Sequence, residues 1–598
     1  MIDDSLISFF RSLRDRKRRF RNDRFTLPPQ DAGIQLAPSS PEQIGLQQKA
    51  FGEGQCETLA ARLQEWAHCD DPALASDLLH SIMQSSDAID IIKILARDFY
   101  DDQERIAERL VDSRLAPRLA ARNKTVGVYY QRLRSGGAER AMALLTQVWI
   151  DAGYSVVLFT DEPAHEDDYE IPSDIQRVVL PALFNSKADI VQNRLTQLTD
   201  HVTNHDIGVF VHNSVYGDGF LFDLLAIKSC GVPVVALNHG TFATSLVMQS
   251  MHLMLMTKTF TLLDSLVVLA RYEENFWHTF NVPARYISNP LQWNIADTEV
   301  ATLESKNILW IGRLSFEKRV FDALEIFSEV IKTEPDAKLL LLGKGESPAD
   351  LIAVQNKMKH LKLGANVELC GYHLDVAPFY QNAAVYLHTS QLESFSMTLL
   401  ESKAHGVPGV LYDLPNLELL RVGKGAVTVK QRDIPAAARA IVNLLRDTHY
   451  RKDMGRAARE STEVFLAQVD LSKEWTSLFD NLGADSAEDL AAAPSKEAVR
   501  NNIETIFNCI RAGIEWRDQQ YIPQHYIPKW RLERVLRKGL ASRLQRLGDS
   551  LRKRLSTRPR AKDLPLEKRL QRHARLSRQL TNILGAYAVV ATIALCLR

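Results

Sequence analysis

Short runs of Val, Ile and Leu recur between residues 124 and 482, each bounded by turn residues and each followed by a stretch with helical spacing. A strand that is apolar throughout, rather than at alternate positions, is buried on both faces, and a parallel sheet covered by helices on both sides provides that burial. The first set is TVGVYY, YSVVLFT, IGVFVHN, VPVVALNHG and SLVVLA, with AMALLTQVWIDAG as the first intervening helix. The rhythm restarts at NILWIG and runs through AKLLLLG, NVELCG, AAVYLHTS and GVLYD, with FDALEIFSEVIKT and TLLESKAHG as helices. Two Rossmann-like α/β domains in series are therefore expected, over 123–290 and 291–484. Asn289 and Pro290 mark the connector near Ser288–Ser305, and a helical region from about Asp453 to Leu482, including a crossover helix, closes the second domain.

At 598 residues the chain is too long for one core, and the flanks differ in character from the centre. Residues 1–122 form a basic segment followed by a helical extension. In the first 25 residues Leu6, Phe9, Phe10 and Leu13 alternate with Arg11, Arg14, Arg16 and Lys17, a pattern for a helix on an anionic membrane or one docked on its own domain. From 43 to 120 the apolar spacing of Ala88, Ile91, Ile92, Leu95 and Ala96 predicts helices. Residues 485–598 read as a basic helical tail: eighteen Lys or Arg stand against four acids between Lys529 and Arg578, with leucines every three or four residues. The apolar run Ile583–Leu597 is shorter than the roughly 20 residues of a membrane span; it enters one leaflet, packs as a buried helix, or anchors the tail. Interleaved aromatic platforms are lacking, so anionic lipid suits the tail better than nucleic acid. The six cysteines show no CxxC and no regular spacing, and no apolar stretch near the start precedes a small-residue cleavage site. The expectation is a cytoplasmic protein, peripheral on the inner face of the membrane.

Three groups of residues carry chemistry. Glu393 and Glu401 flank the junction between the strand AAVYLH and a helix starting near Ser396, where free N–H groups form an anion site. Gly312, Arg313 and Lys318 follow the strand NILWI, and a planar guanidinium beside a point-charge ammonium suits a diphosphate. Gly136 and Gly137, followed by Ala138, Glu139 and Arg140, sit after the first strand, where backbone is free to approach a ligand. Gly343 to Gly345 after KLLLL has the same look, or is a plain turn.

Taken in order, GGAER, SNP, GRLSFEK, LLLLGKGE, VELCGY, ESFSMTLLE and AHGVP resemble the retaining GT-B glycosyltransferases of family 4 over some 350 residues. The resemblance implies two Rossmann-like domains facing a cleft, with an acceptor on the first and a UDP- or GDP-linked sugar on the second. It implies that Arg313 and Lys318 bind the donor diphosphate and that Glu401 binds the ribose hydroxyls. Glu393 would lie near the transferred sugar, with the backbone of Ser394, Phe395 and Ser396 supporting sugar and phosphate, and His239 would be the cleft histidine. Gly136, Gly137, Gly312 and Gly343 complete the donor-binding set. Ser394 and Ser396 stand where glycines are usual, as does Arg319 after Lys318. No metal or other cofactor is expected, because side chains supply the cations. The acceptor expected is a lipid-linked or cell-envelope glycan. A GT-B nucleotide-sugar epimerase and a silent scaffold subunit of a glycan-assembly complex are the alternative readings.

Overall fold

The computed structural model describes residues 53–113 and 123–482, apart from breaks at 135, 184–187, 218, 249, 316, 346, 415–416 and 422–423. The basic N-terminal segment and the tail from 485, with its apolar run, lie outside the described residues.

Helices α1 (Glu53–His68), α2 (Pro72–Ser85), α3 (Ala88–Phe99) and α4 (Gln103–Asp112) precede the first sheet. The Asp71 carboxylate accepts from Ala73 N and Leu74 N at the start of α2, and Asp87 accepts from Ile89 N at the start of α3. The Arg109 guanidinium donates to the carbonyls of Trp66 and Cys69, tying α4 to the end of α1. Leu63, Trp66, Leu79, Ile82 and Ile94 share one continuous core with Phe210, Phe222 and Ile227 of the domain that follows. The helical extension is thus built into the first domain.

That domain carries β1 (Thr125–Tyr129), α5 (Gly137–Asp151), β2 (Ser155–Thr160), β3 (Gln176–Val179), α6 (Ala188–Asn204), β4 (Val209–His212), α7 (Phe220–Ser229), β5 (Val234–Asn238), α8 (Phe242–Met248), α9 (Ser250–Thr259), β6 (Ser265–Val268), α10 (Arg271–His278) and β7 (Ala284–Tyr286). The strand order is β3-β2-β1-β4-β5-β6-β7, with every pairing parallel. The second domain has β8 (Asn307–Ile311), α11 (Val320–Val330), β9 (Lys338–Leu342), α12 (Pro348–His360), β10 (Val367–Gly371), α13 (Ala377–Gln381), β11 (Val385–His388), α14 (Met397–Ala404), β12 (Gly409–Tyr412), α15 (Glu418–Arg421), β13 (Ala426–Val429), α16 (Ile434–Arg446) and α17 (Thr448–Ala467). Its order, β10-β9-β8-β11-β12-β13, is likewise parallel throughout. In both sheets the order reverses beside the first strand, between β1 and β4 and between β8 and β11. Loops leaving such a point diverge and open a crevice at the carboxyl ends of the strands.

The last described helix, α18 (Leu471–Asp480), crosses back to the first domain. Trp475, 1% exposed, meets Trp149 of α5 edge to face at 5.1 Å, and Phe479 meets Tyr154 at 5.3 Å. One apolar cluster runs from Val126 and Leu237 of the first domain to Leu399, Leu411 and Trp475, so the two domains share packed surface beside the crevice.

Candidate active site

The loops after β8 and β11 meet at the second sheet's switch point. The Thr389 hydroxyl accepts from Trp310 Nε1 at 2.9 Å and lies 2.8 Å from the carbonyl oxygen of Lys318, while Gln391 N donates to the carbonyl of Glu317 at 3.0 Å. With the two loops stitched together, Lys318 Nζ lies 2.5 Å from Glu393 Oε1, and His388 Nε2 lies 3.3 Å from the same oxygen. Burial alone would raise the Glu393 carboxyl, but the Lys318 ammonium and His388 outweigh it and hold the group far below the ordinary carboxylate range. Arg313, half exposed, bridges to Glu317 at 3.1 Å. Its charge also reaches Glu139 and Tyr130 on the first domain, both of which burial pushes up.

Local backbone geometry explains several of the glycines. Gly343 has φ +135°, and a Cβ there would stand 1.8 Å from the carbonyl oxygen of Gly312, so the ends of β8 and β9 approach too closely for any side chain. Gly312 itself leaves room for the Lys318 stem, 3.5 Å from where a Cβ would sit. Two of the three positions where glycine is usual keep the glycine conformation, Arg319 with φ +50° and Ser396 with φ +68°, whereas Ser394 does not. Arg319 is anchored by Gln391 Oε1, with Nε at 3.0 Å, and by Asp322 at 3.5 Å. Ser396 caps α14, its hydroxyl accepting from Leu399 N at 3.4 Å and lying 3.2 Å from His388 Nε2.

The start of α14 faces the start of α5 across the crevice. A Cβ on Gly137 would lie 3.5 Å from the Met397 side chain, and one on Gly136 would strike the Glu139 carboxylate. Between the two helix starts Glu401 is completely buried, with Oε1 accepting from Arg140 Nη1 at 2.7 Å and Oε2 from the Tyr380 hydroxyl at 2.9 Å. Arg140 also stacks over the Tyr169 ring at 5.3 Å.

His239 follows β5 at the same crevice. Its Nε2 is 3.1 Å from Asn213 Oδ1, its ring meets Tyr130 edge to face at 5.9 Å, and the Ser394 hydroxyl donates to its carbonyl at 2.6 Å. The residue as a whole is partly exposed, yet Nδ1 is out of water and has no hydrogen-bond partner among the described residues. Burial lowers its pKa from the ordinary 6.5 to about 4. His239 is therefore neutral at working pH, and no step in its ring titration is expected above about pH 5. Because the unfolded chain binds this proton below about 6.5 and the folded chain only near 4, this group removes stability as pH falls between those values. Histidine NMR, with His239→Gln for assignment, checks both statements, and a resonance titrating near 6.5 would contradict them.

The structure thus brings Lys318, Glu393, Ser394, Phe395 and Ser396 into one loop pair, with Arg313 at its rim and His239 opposite. Glu401 lies one helical turn further in. Sequence reasoning named Arg140 only as part of a motif, and passed over His388, Tyr380, Asn213 and Tyr130. His388 and Tyr130 do carry a signal, since each ends or directly follows an apolar strand run. Among the described residues no three His, Cys, Asp or Glu side chains converge as a metal site.

Comparison with known proteins agrees with the two-domain fold. Residues 135–291 match the model for Glycosyltransferase Family 4, and residues 292–461 match that for Glycosyl transferases group 1. An exopolysaccharide phosphotransferase of Streptomyces coelicolor is 31% identical over 185 residues, 30% of this chain and 19% of that protein. A poly(glycerol-phosphate) alpha-glucosyltransferase of Bacillus subtilis is 29% identical over 157 residues, 26% of this chain and 23% of its own length. The chain thus spans less than a quarter of either relative. A crystal structure of a mutant TarM from S. aureus in complex with fondaparinux, α-GlcNAc-glycerol and UDP superposes with a TM-score of 0.50 at 13% identity, covering 60% of this chain and 100% of that one, a likeness of fold. With two adjoining family models spanning more than half its length and two parallel-sheet domains closing on one crevice, the chain belongs to the GT-B glycosyltransferases of the family 4, group 1 type.

Proposed function

We propose that the protein transfers a sugar, with retention of anomeric configuration, from a UDP- or GDP-linked donor to a lipid-linked or cell-envelope glycan. The observation that carries this reading is the Lys318–Glu393 pair, fixed by His388 at the switch point of the second sheet with Arg313 at its rim. As the bond to the anomeric carbon breaks, negative charge collects on the leaving diphosphate, and cations already in place stabilise that state most. Lys318 and Arg313 supply them without a metal ion. Glu393, held ionised by Lys318 and His388, is a weak base and a constrained nucleophile. The leaving phosphate then takes the acceptor proton while the new bond forms on the same face, which gives retention. His239, neutral and partly exposed after β5, faces the sugar as an uncharged neighbour.

The acceptor side is supported by the relatives' names, which include an exopolysaccharide phosphotransferase and a poly(glycerol-phosphate) glucosyltransferase. The basic stretch 529–578 suits an anionic membrane surface. No helix among the described residues is long and apolar enough to cross a membrane. The test is a panel of UDP- and GDP-sugars offered to the purified chain, with NMR assignment of the released or transferred anomer. Consumption of one donor with the α configuration preserved is expected. Inversion overturns the stereochemical assignment, and conversion to an epimer without loss of the nucleotide overturns transfer itself.

A further inference from the structure

Glu273, in the first turn of α10, is 1% exposed. Its carboxylate accepts from Phe242 N, at 2.9 Å to Oε1 and 3.2 Å to Oε2, and from Trp277 Nε1 at 3.1 Å. Phe242 opens α8 just after His239, and its ring stacks on Phe276 of α10 at 3.8 Å. The other end of the same loop is fixed by Asn238, whose Oδ1 accepts from Gly240 N at 3.1 Å and from the Tyr216 hydroxyl at 2.8 Å. His239 thus stands between two anchors, one of which is a buried carboxylate. The groups that face this carboxylate are the Tyr272 hydroxyl and the Trp277 indole of its own helix, the Phe242 N–H of α8, and Tyr216 of the loop after β4; no salt bridge reaches it among the described residues. Burial pushes it up to about 7 from the ordinary 4.5. Taking a carboxyl with no counter-charge out of water is costly, and an apolar side chain would fill the same space without that cost.

We propose that Glu273 is a positioning residue for sugar transfer: through the Phe242 N–H its carboxylate holds the stretch of main chain that sets His239 beside the sugar. The proposal rests on the reading of the crevice as a sugar-transfer site with His239 facing the sugar. A carboxylate grips a backbone N–H about twice as strongly as a neutral carboxyl or amide does. The hold therefore tightens as Glu273 loses its proton, and the placement of His239 follows pH near neutrality although its own ring stays uncharged.

The experiment uses the full-length wild type, Glu273→Gln, which keeps the shape and removes the charge, and Trp277→Phe, which removes one donor to the charged form. The first reading is the backbone amide resonance of Phe242 in protein carrying isotope-labelled phenylalanine, assigned with Phe242→Leu. In the wild type it should move through one step centred at about pH 7, absent in Glu273→Gln and displaced to higher pH in Trp277→Phe. The second reading is kcat for release of UDP or GDP from the sugar nucleotide that the wild type consumes. Wild type should exceed Glu273→Gln by about 3- to 10-fold near pH 8, the difference between a charged and a neutral hydrogen bond, and by no more than about twofold near pH 6. Lost packing would lower kcat by the same factor at both ends of the range, so the change of the ratio with pH separates positioning from packing. A ratio that does not change with pH, or a wild-type Phe242 amide without a step, overturns the proposal and leaves the sugar-transfer reading standing. If the wild type consumes no UDP- or GDP-linked sugar, that reading itself fails and the proposal falls with it.

Discussion

Lys318→Ala is expected to lower sugar-transfer turnover by roughly 10²- to 10³-fold, the usual scale for removing one preorganised charge from a developing anion. Two losses combine. The diphosphate loses a cation at the moment its charge is greatest, and Glu393 loses the ammonium 2.5 Å from its Oε1. Without that ammonium, burial dominates the Glu393 carboxyl, whose pKa rises, and the ordered carboxylate beside the sugar is weakened. Steady-state kinetics with the preferred nucleotide sugar should show kcat and kcat/KM falling together, because the missing interaction strengthens in the transition state. The double variant Lys318→Ala, Glu393→Gln should regain stability by removing the unpaired charge, but not rate. Turnover within a few-fold of wild type in Lys318→Ala would remove the basis of the proposed mechanism.

Arg194→Met has the largest expected effect on stability. Arg194 is 1% exposed; its Nε and Nη2 donate to Asp223 at 2.8–3.1 Å, and its Nη1 to Asp161 Oδ1 at 2.7 Å. The side chain binds α6 to α7 and to the end of β2. Methionine fills a similar volume but leaves two carboxylates without their counter-charge, a change that costs about 3–5 kcal/mol. Burial would raise Asp223, but Arg194 outweighs it and holds the pKa down to about 2 from 3.8. A depressed carboxylate contributes stability above its unfolded pKa and loses it as pH falls from 3.8 toward 2. With Arg194 gone, burial prevails and the acid limb of the stability curve moves upward in pH. Chemical denaturation at neutral and mildly acid pH reads both effects, and an unchanged midpoint at neutral pH would show that the network contributes little.

The interior strands were legible because burial on both faces leaves continuous apolar runs, as in VVALN of β5 or KLLLL of β9. The strands not anticipated lie at sheet edges. In β3, QRVV buries only Val178, β13 buries none of its four residues, and β7 has three residues. Half-covered edges lack the run that identifies a strand. The same split holds at the site. Lys318 and Glu393 could each be placed near the donor from sequence because each lies just beyond a readable strand and the resemblance to a known family ordered the pieces, but their ion pair is seen only in the structure. Arg140 and Glu401 lie 261 positions apart, and the Ser394 hydroxyl and the His239 carbonyl 155, so no local spacing encodes either contact. Arg319 and Ser396 stand where glycines are usual, and the structure keeps the left-handed backbone there through partners the local sequence does not show.

The main chain passes between the domains twice, once through residues 287–306 and again just before α18, where Trp475 seats on α5. A body joined to its neighbour at one point swivels freely, but one joined at two points turns only about the line through them, like a door on a pair of hinges. Any parting of the domains has to keep both crossings connected. Cutting the chain at Asp470 would remove one of them and uncover Trp149 and Tyr154, which Trp475 and Phe479 cover.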